Sequence, residues 1–201
     1  MIAGQITSED FFRLAPEDRK AELVDGILIV APPPSDRHER LLGFLFHLLR
    51  EYAERFDLGE VRGSRTAVLL DRYETYEPDL LFVARERLDI LGERGVTGAP
   101  DLVVEILSAS TAAYDRGTKL RNYDRSGVRE IWMIDPYGPA GTEIYQRQED
   151  GLRQLPLGAS PADAVLPSLA LPGLRLRLEW LWPLDKFIPV HRALSGLQPP
   201  R

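Results

Sequence analysis

The chain has 201 residues, with 25 Lys+Arg against 31 Asp+Glu and a formal net charge of -6. It contains no cysteine, which excludes a disulfide framework, a thiolate zinc site and a cysteine nucleophile. The length suits one domain around one core, and the acidic balance excludes coating of nucleic acid through bulk charge.

The elements follow in chain order. Thr7-Ser8-Glu9-Asp10 reads as a helix start, with Phe11, Phe12 and Leu14 on its apolar side. Ala21 to Val24 and Ile27 to Val30 flank Asp25-Gly26, a hairpin signal because a type I′ turn needs positive φ at both central positions. Ser35 or Asp36 caps a helix to about Phe56. Leu41, Leu45, Leu48, Leu49, Tyr52 and Phe56 form its apolar stripe. A turn is expected over Asp57 to Glu60, a strand over Val61 to Leu70, a polar loop over Asp71 to Pro78 and a short apolar strand over Leu80 to Val83. Arg85 to Pro100 reads as a charged connection.

Asp101 to Leu107 is a second apolar strand, broken by Ser108 to Thr111. A helix over about Ala112 to Arg125 stops at Ser126-Gly127, and Arg129 to Asp135 is a third apolar strand. This strand, helix, strand unit is long enough for a parallel crossover. Thr142 to Gln148 returns antiparallel, and Leu174 to Leu178 alternates like a half-exposed strand. The sum is a mixed α/β, or α+β, single domain over 1–201 with a loose tail from about Leu194. Leu178 to Trp182 either joins the core or meets a second subunit. Met1 to Asp10 lacks the pattern of a secretory signal. The longest apolar stretch, Leu41 to Leu49, falls short of the ~20 residues of a membrane helix. A cytoplasmic protein with no membrane partner is expected.

Glu105 is the most informative residue. By the strand period of two it shares a face with Val103 and Leu107, and both faces are otherwise apolar. A carboxylate there must be paired, metal-bound or protonated. One reading is a salt bridge to a nearby Arg or Lys. The other adds Asp79, which follows Pro78 at the mouth of the preceding strand, so that two hard oxygen ligands suit Mg²⁺ or Mn²⁺. Asp115, Lys119 and Tyr123 share one helical face. Lys119 either pairs with Asp115 at the surface or reaches over the end of the Glu105 strand. On spacing alone, Glu22 and His38 read as solvated side chains rather than site residues. The run Asp115 to Arg129 holds Arg116, Arg121 and Arg125, a local basic surplus that is either a solvated face or a nucleic-acid contact. No Walker-type loop, dinucleotide fingerprint or Gly-x-Ser-x-Gly elbow is present.

These residues carry a resemblance. Glu22-Leu23-Val24-Asp25-Gly26, Ser35 with His38, Glu77-Pro78-Asp79-Leu80, Pro100 to Ser108, then Thr111, Asp115, Lys119, Tyr123, Gly127 to Trp132 and Asp135-Pro136 together resemble the Uma2 family. That family belongs by fold to the PD-(D/E)XK, restriction-endonuclease-like nucleases, and the likeness spans roughly Thr7 to Leu178. It implies a central mixed sheet flanked by helices and a Mg- or Mn-dependent endonuclease acting on DNA, with a homodimer as a further expectation. It implies that Asp79, Glu105 and the Ile106 backbone carbonyl hold the metal. Glu22 and His38 would line the same pocket as catalytic residues, with Asp115 and Tyr123 accessory. The superfamily's lysine two residues after the strand glutamate is here Leu107, and Lys119 is the substitute the resemblance suggests. The alternative is a non-catalytic module that keeps the fold for nucleic-acid binding or protein interaction.

Overall fold

The computed structural model describes residues 5–109, 111–157, 164–183, 188–195 and 197. Helix α1 (Ser8–Leu14) starts as expected, with Thr7 and Asp10 forming a reciprocal capping box. Strands β1 (Ala21–Val24) and β2 (Ile27–Val30) pair antiparallel around Asp25 (φ 49°) and Gly26 (φ 74°). Helix α2 (Asp36–Arg55) is capped by the Ser35 side chain and buries Leu41, Leu45, Leu48, Leu49 and Tyr52.

The middle of the chain differs from the sequence reading. In place of one strand over 61–70 there are two, β3 (Gly59–Gly63) and β4 (Val68–Asp71), and they belong to different sheets. The expected polar loop contains β5 (Glu74–Tyr76), all three residues of which are buried. Their polarity is satisfied internally: Thr75 donates to Ser8, and the Tyr76 hydroxyl donates to Glu74 and accepts from Asn122. After β6 (Leu80–Ala84), the charged connection folds into a 3₁₀ turn (Arg85–Ile90) and a small hairpin, β7 (Leu91–Gly92) with β8 (Gly95–Thr97).

Strand β9 (Leu102–Ile106) crosses over to β10 (Glu130–Ile134), and the two pair in parallel. The expected single crossover helix is three segments: α3 (Ala112–Tyr114), a π-helical turn (Asp115–Lys119) and α4 (Leu120–Ser126). Gly127 closes it in the left-handed region, at φ 92°. Strands β11 (Glu143–Gln148) and β12 (Gly151–Leu155) continue antiparallel. Strands β13 (Val165–Pro167) and β14 (Arg175–Arg177) form a separate pair, and α5 (Val190–Ser195) packs on α2. Leu194, placed in a loose tail by the sequence reading, is a buried residue of α5, while residues 198–201 lie outside the described set.

The result is a mixed α+β architecture with two six-stranded sheets. The central one runs β12-β11-β10-β9-β6-β3 and the second β2-β1-β5-β4-β8-β7. The alternation in β9 divides as the period of two requires. Leu102, Val104 and Ile106 pack under α2, and Val103 and Leu107 pack with Tyr123, Ile131 and Met133 on the other face. Leu178 and Leu181 enter the core. Trp180 and Trp182 are half-buried and, with Phe44, line a cavity of about 980 Å³ beside α2.

Candidate active site

Five elements deliver titratable side chains to one point. Strand β1 carries Glu22, with Lys20 one residue before the strand. Asp79 precedes β6, Glu105 lies in β9, and the π-helical turn carries Asp115 and Lys119. The first turn of α2 adds His38. The second sheet is tied to the first at this point. The Ala21 N–H donates to Glu77 (3.1 Å), and the Glu77 N–H donates to Glu22 (3.3 Å). Pro78, fixed in φ and without a donor, then leads Asp79 into β6. The π turn matters in the same way. Such a turn shifts the facing of the side chains that follow it, and here both Asp115 and Lys119 are buried.

The two central carboxylates are each held by one oxygen and present the other. Glu105 Oε1 accepts from the Tyr123 hydroxyl (2.8 Å) and lies 2.8 Å from Lys119 Nζ. Asp79 Oδ2 accepts from the Ile106 N–H (2.7 Å) and lies 3.2 Å from His38 Nε2. The remaining oxygens face the Lys20 ammonium, Asp79 Oδ1 at 2.8 Å and Glu105 Oε2 at 3.9 Å. Behind this pair, Lys119 also meets Glu22 at 2.6 Å and Asp115 at 3.7 Å. Tyr114 donates to the second Glu22 oxygen (3.1 Å).

Burial and neighbouring charge set the protonation. Desolvation pushes Glu105 up to about 7 against the pull of Lys119 and Lys20, with Asp79 and Asp115 adding to the rise. Burial would raise Asp79 too, but Lys20 and His38 together outweigh it and hold that carboxyl well below the usual range. Burial opposes charge on Lys119, yet the surrounding carboxylates, Glu105 and Glu22 foremost, hold its ammonium well above the ordinary lysine value. For His38 burial is again the largest influence, overcome by the hydrogen bond and charge of Asp79, so its affinity for a proton rises.

Other buried carboxylates in this chain are satisfied differently. Glu130 accepts from the Leu169 and Ala170 N–H groups, Ser168, Trp132 and Gln146. Asp101 is held by the Ala84 N–H and Arg87. Those are loop and strand anchors with backbone and guanidinium partners. Asp79 and Glu105 instead converge on an ammonium at the site's mouth.

Glu22, His38, Asp79, Glu105, Asp115, Lys119 and Tyr123, named from the sequence, are thus brought into one cluster. The ion pair offered as the plain reading of Glu105 exists, and its partner is Lys119; the Asp115–Lys119 pair is buried rather than at the surface. Arg116, Arg121 and Arg125 lie outside the cluster. Arg116 is clamped by Glu143 (2.6 Å) and the Gly141 carbonyl, Arg121 donates to Thr118, and exposed Arg125 stands 3.6 Å from Asp71. Lys20 was missed, because it ends the charged run Glu17-Asp18-Arg19-Lys20, which reads as solvated loop. A compositional signal was available. The chain has only three lysines, Lys20, Lys119 and Lys186, among 25 basic residues, and two of them meet here.

Among the described residues no three His, Asp or Glu side chains are grouped as a ready-made metal site. The donors nonetheless fit a hard divalent cation. Mg²⁺ is held by one or two carboxylates plus waters, and two carboxylate oxygens already face a shared cation, the Lys20 ammonium. The Ile106 N–H points to Asp79, and in a strand the carbonyl of the same residue points to the same edge.

Sequence comparison gives the family and structural comparison gives the fold. The family model of Uma2, described as "putative restriction endonuclease", matches residues 8–179, and the chain belongs to that family. An uncharacterized Synechocystis protein, slr1290, is 26% identical over 153 residues, covering 72% of this chain and 80% of that one. The crystal structure of "a putative nuclease belonging to DUF820" from Anabaena variabilis superposes with a TM-score of 0.70 at 19% identity. That superposition covers 89% of this chain and 98% of the other. The fold is therefore that of a nuclease-like protein.

Proposed function

We propose that this cluster is the active site of a Mg²⁺- or Mn²⁺-dependent endonuclease that hydrolyses phosphodiester bonds in DNA. One observation carries the reading: Asp79, just before β6, and Glu105, in the adjoining β9, each turn one oxygen to the same cation, the Lys20 ammonium. Asp79, Glu105 and the Ile106 carbonyl would hold the metal. When bound, a divalent cation neutralises phosphate charge and acidifies a water.

The chain's own residues do the rest. Tyr123 and Lys119 orient Glu105, while His38 and the Ile106 N–H orient Asp79. Glu22 and Asp115 balance Lys119 so that its charge is retained at full burial. Arg121 and Arg125, exposed on the face of α4, contact the DNA backbone. Cutting both strands takes two centres, which a two-fold homodimer supplies. The described helices include none long and apolar enough to cross a membrane.

Nicking of supercoiled plasmid in Mn²⁺ tests the reading. The wild-type chain should nick, and Glu105→Gln should lose about two orders of magnitude in rate, the scale of removing one transition-state contact. Equal activity of the variant would refute the site. No cleavage of any DNA, with metal bound, would favour the non-catalytic module.

A further inference from the structure

The two lysines of the cluster differ in a way that separates their roles. Lys119 is sealed: its side chain is 2% exposed, three carboxylates stand within 3.7 Å, and the Tyr76 and Tyr114 rings cover it at 5.7 and 5.8 Å. An ammonium has three donors, and three carboxylates already surround this one. It cannot reach water or substrate without leaving a buried carboxylate unpaired.

Lys20 is the opposite case. Its side chain is 24% exposed, it has one close partner in Asp79, and Glu105 is at 3.9 Å. It sits on a short segment outside β1, so its stem can swing without disturbing the sheet. Its nitrogen also lies between Asp79 Oδ1 and Glu105 Oε2, the two oxygens not held by the Ile106 N–H, His38, Tyr123 or Lys119. A second cation cannot enter there while the ammonium stays.

We propose that Lys20, not Lys119, is the catalytic lysine: it is parked on Asp79 and Glu105, gives that position up to the divalent cation, and then meets the phosphate of the substrate. The inference rests on the metal-dependent reading above. Lys119 is then a positioning residue that acts through Glu105 and Glu22. An incoming phosphodiester meets a mouth lined by carboxylates, and a released Lys20 offers it a positive charge with open donors.

Lysine acetylation rates, mapped by mass spectrometry on the wild-type chain with and without saturating Mg²⁺, test the first half. Metal binding is followed in parallel by calorimetry. Released into solvent, Lys20 should acetylate several-fold faster, while Lys119 stays protected as an internal control. Metal binding with an unmoved Lys20 rate overturns this proposal and leaves the nuclease reading standing. No metal binding at all overturns both.

Lys20→Met tests the second half. Loss of the competing ammonium should tighten Mn²⁺ binding by about tenfold, while plasmid nicking should slow by about 100-fold. A purely structural lysine would not move these two readouts in opposite directions. Nicking at the wild-type rate, or weaker metal binding, would overturn the role. Lys20→Arg, which keeps charge but not the compact ammonium, should recover part of the rate that Lys20→Met loses.

Discussion

At the residue scale the cluster is a set of opposed charges held out of water. Lys119 is the charge on which the others depend, so Lys119→Met should leave Glu22, Glu105 and Asp115 without their common partner. Breaking a buried pair in this way costs about 3–5 kcal/mol. At about 2–4 °C per kcal/mol for a chain of this size, melting should fall by roughly 10 °C. Arg121→Ala, on an exposed side chain, should stay within about 0.5 kcal/mol of wild type.

The same charges set a pH dependence. Glu105 binds its proton more tightly folded, at about 7, than unfolded near the ordinary 4.5, so its contribution is complete below 4.5 and is lost as pH rises through 7. Asp79 is shifted the other way, and its contribution is present above 3.8 and lost in stronger acid. Metal-free protein should therefore melt highest near pH 5 and lower at pH 8. Glu105→Gln should flatten the decline between them, and an unchanged slope would contradict the assignment. Among these residues, Glu105 was legible from sequence as one charge inside an apolar alternation. Lys20 was not, because its meaning comes only from the approach of β6 and β9.

At the element scale, the hairpin and the π turn are the parts that aim side chains. The β1–β2 turn needs left-handed backbone at both central positions, and a Cβ on Gly26 would lie 2.7 Å from Gln5 Cβ. Gly26→Ala should cost about 1–2 kcal/mol from the backbone conformation alone. Since β1 carries Glu22 and follows Lys20, Mn²⁺ binding should weaken along with melting temperature. Intact metal binding at lowered stability would show that the hairpin is not part of the site's framework. The hairpin was legible because Asp-Gly between apolar runs has few alternatives. Helix α2 was legible from its stripe. Strand β5 was hidden, since Glu74 and Thr75 are polar and become buried through partners distant in sequence, Asp25 and Ser8. The π turn was hidden as well: period 3.6 fits its residues on either side, and what accompanies the extra residue is the pairing of Lys119 with Glu22 of β1 and Glu105 of β9.

At the whole-molecule scale, the acidic excess becomes part of the account. A net charge of -6 opposes a polyanion, and a cluster of carboxylates at the mouth opposes it further. Duplex binding should therefore be weak in EDTA and tighten by about tenfold or more with Ca²⁺, with a shallow salt slope from few phosphate contacts. Fluorescence anisotropy with a labelled duplex measures both. Binding that ignores the cation, with a steep salt slope, would point to a surface away from Asp79 and Glu105. The fold itself was legible in outline, down to the parallel β9–β10 pair. The division into two sheets was not, because the break between β3 and β4 is only Ser64 to Ala67, with no Gly or Pro to mark it, and the turn is made by Arg65 in the left-handed region (φ 75°).

The central claim is that Asp79 and Glu105 form the seat of a divalent cation now occupied by Lys20. A crystal structure with Mn²⁺, read by anomalous scattering, tests it most directly. The account predicts one strong peak about 2.0–2.3 Å from Asp79 Oδ1 and Glu105 Oε2, with the Lys20 ammonium moved off both. A peak elsewhere, or Mn²⁺ bound while Lys20 keeps its 2.8 Å contact with Asp79, would contradict it.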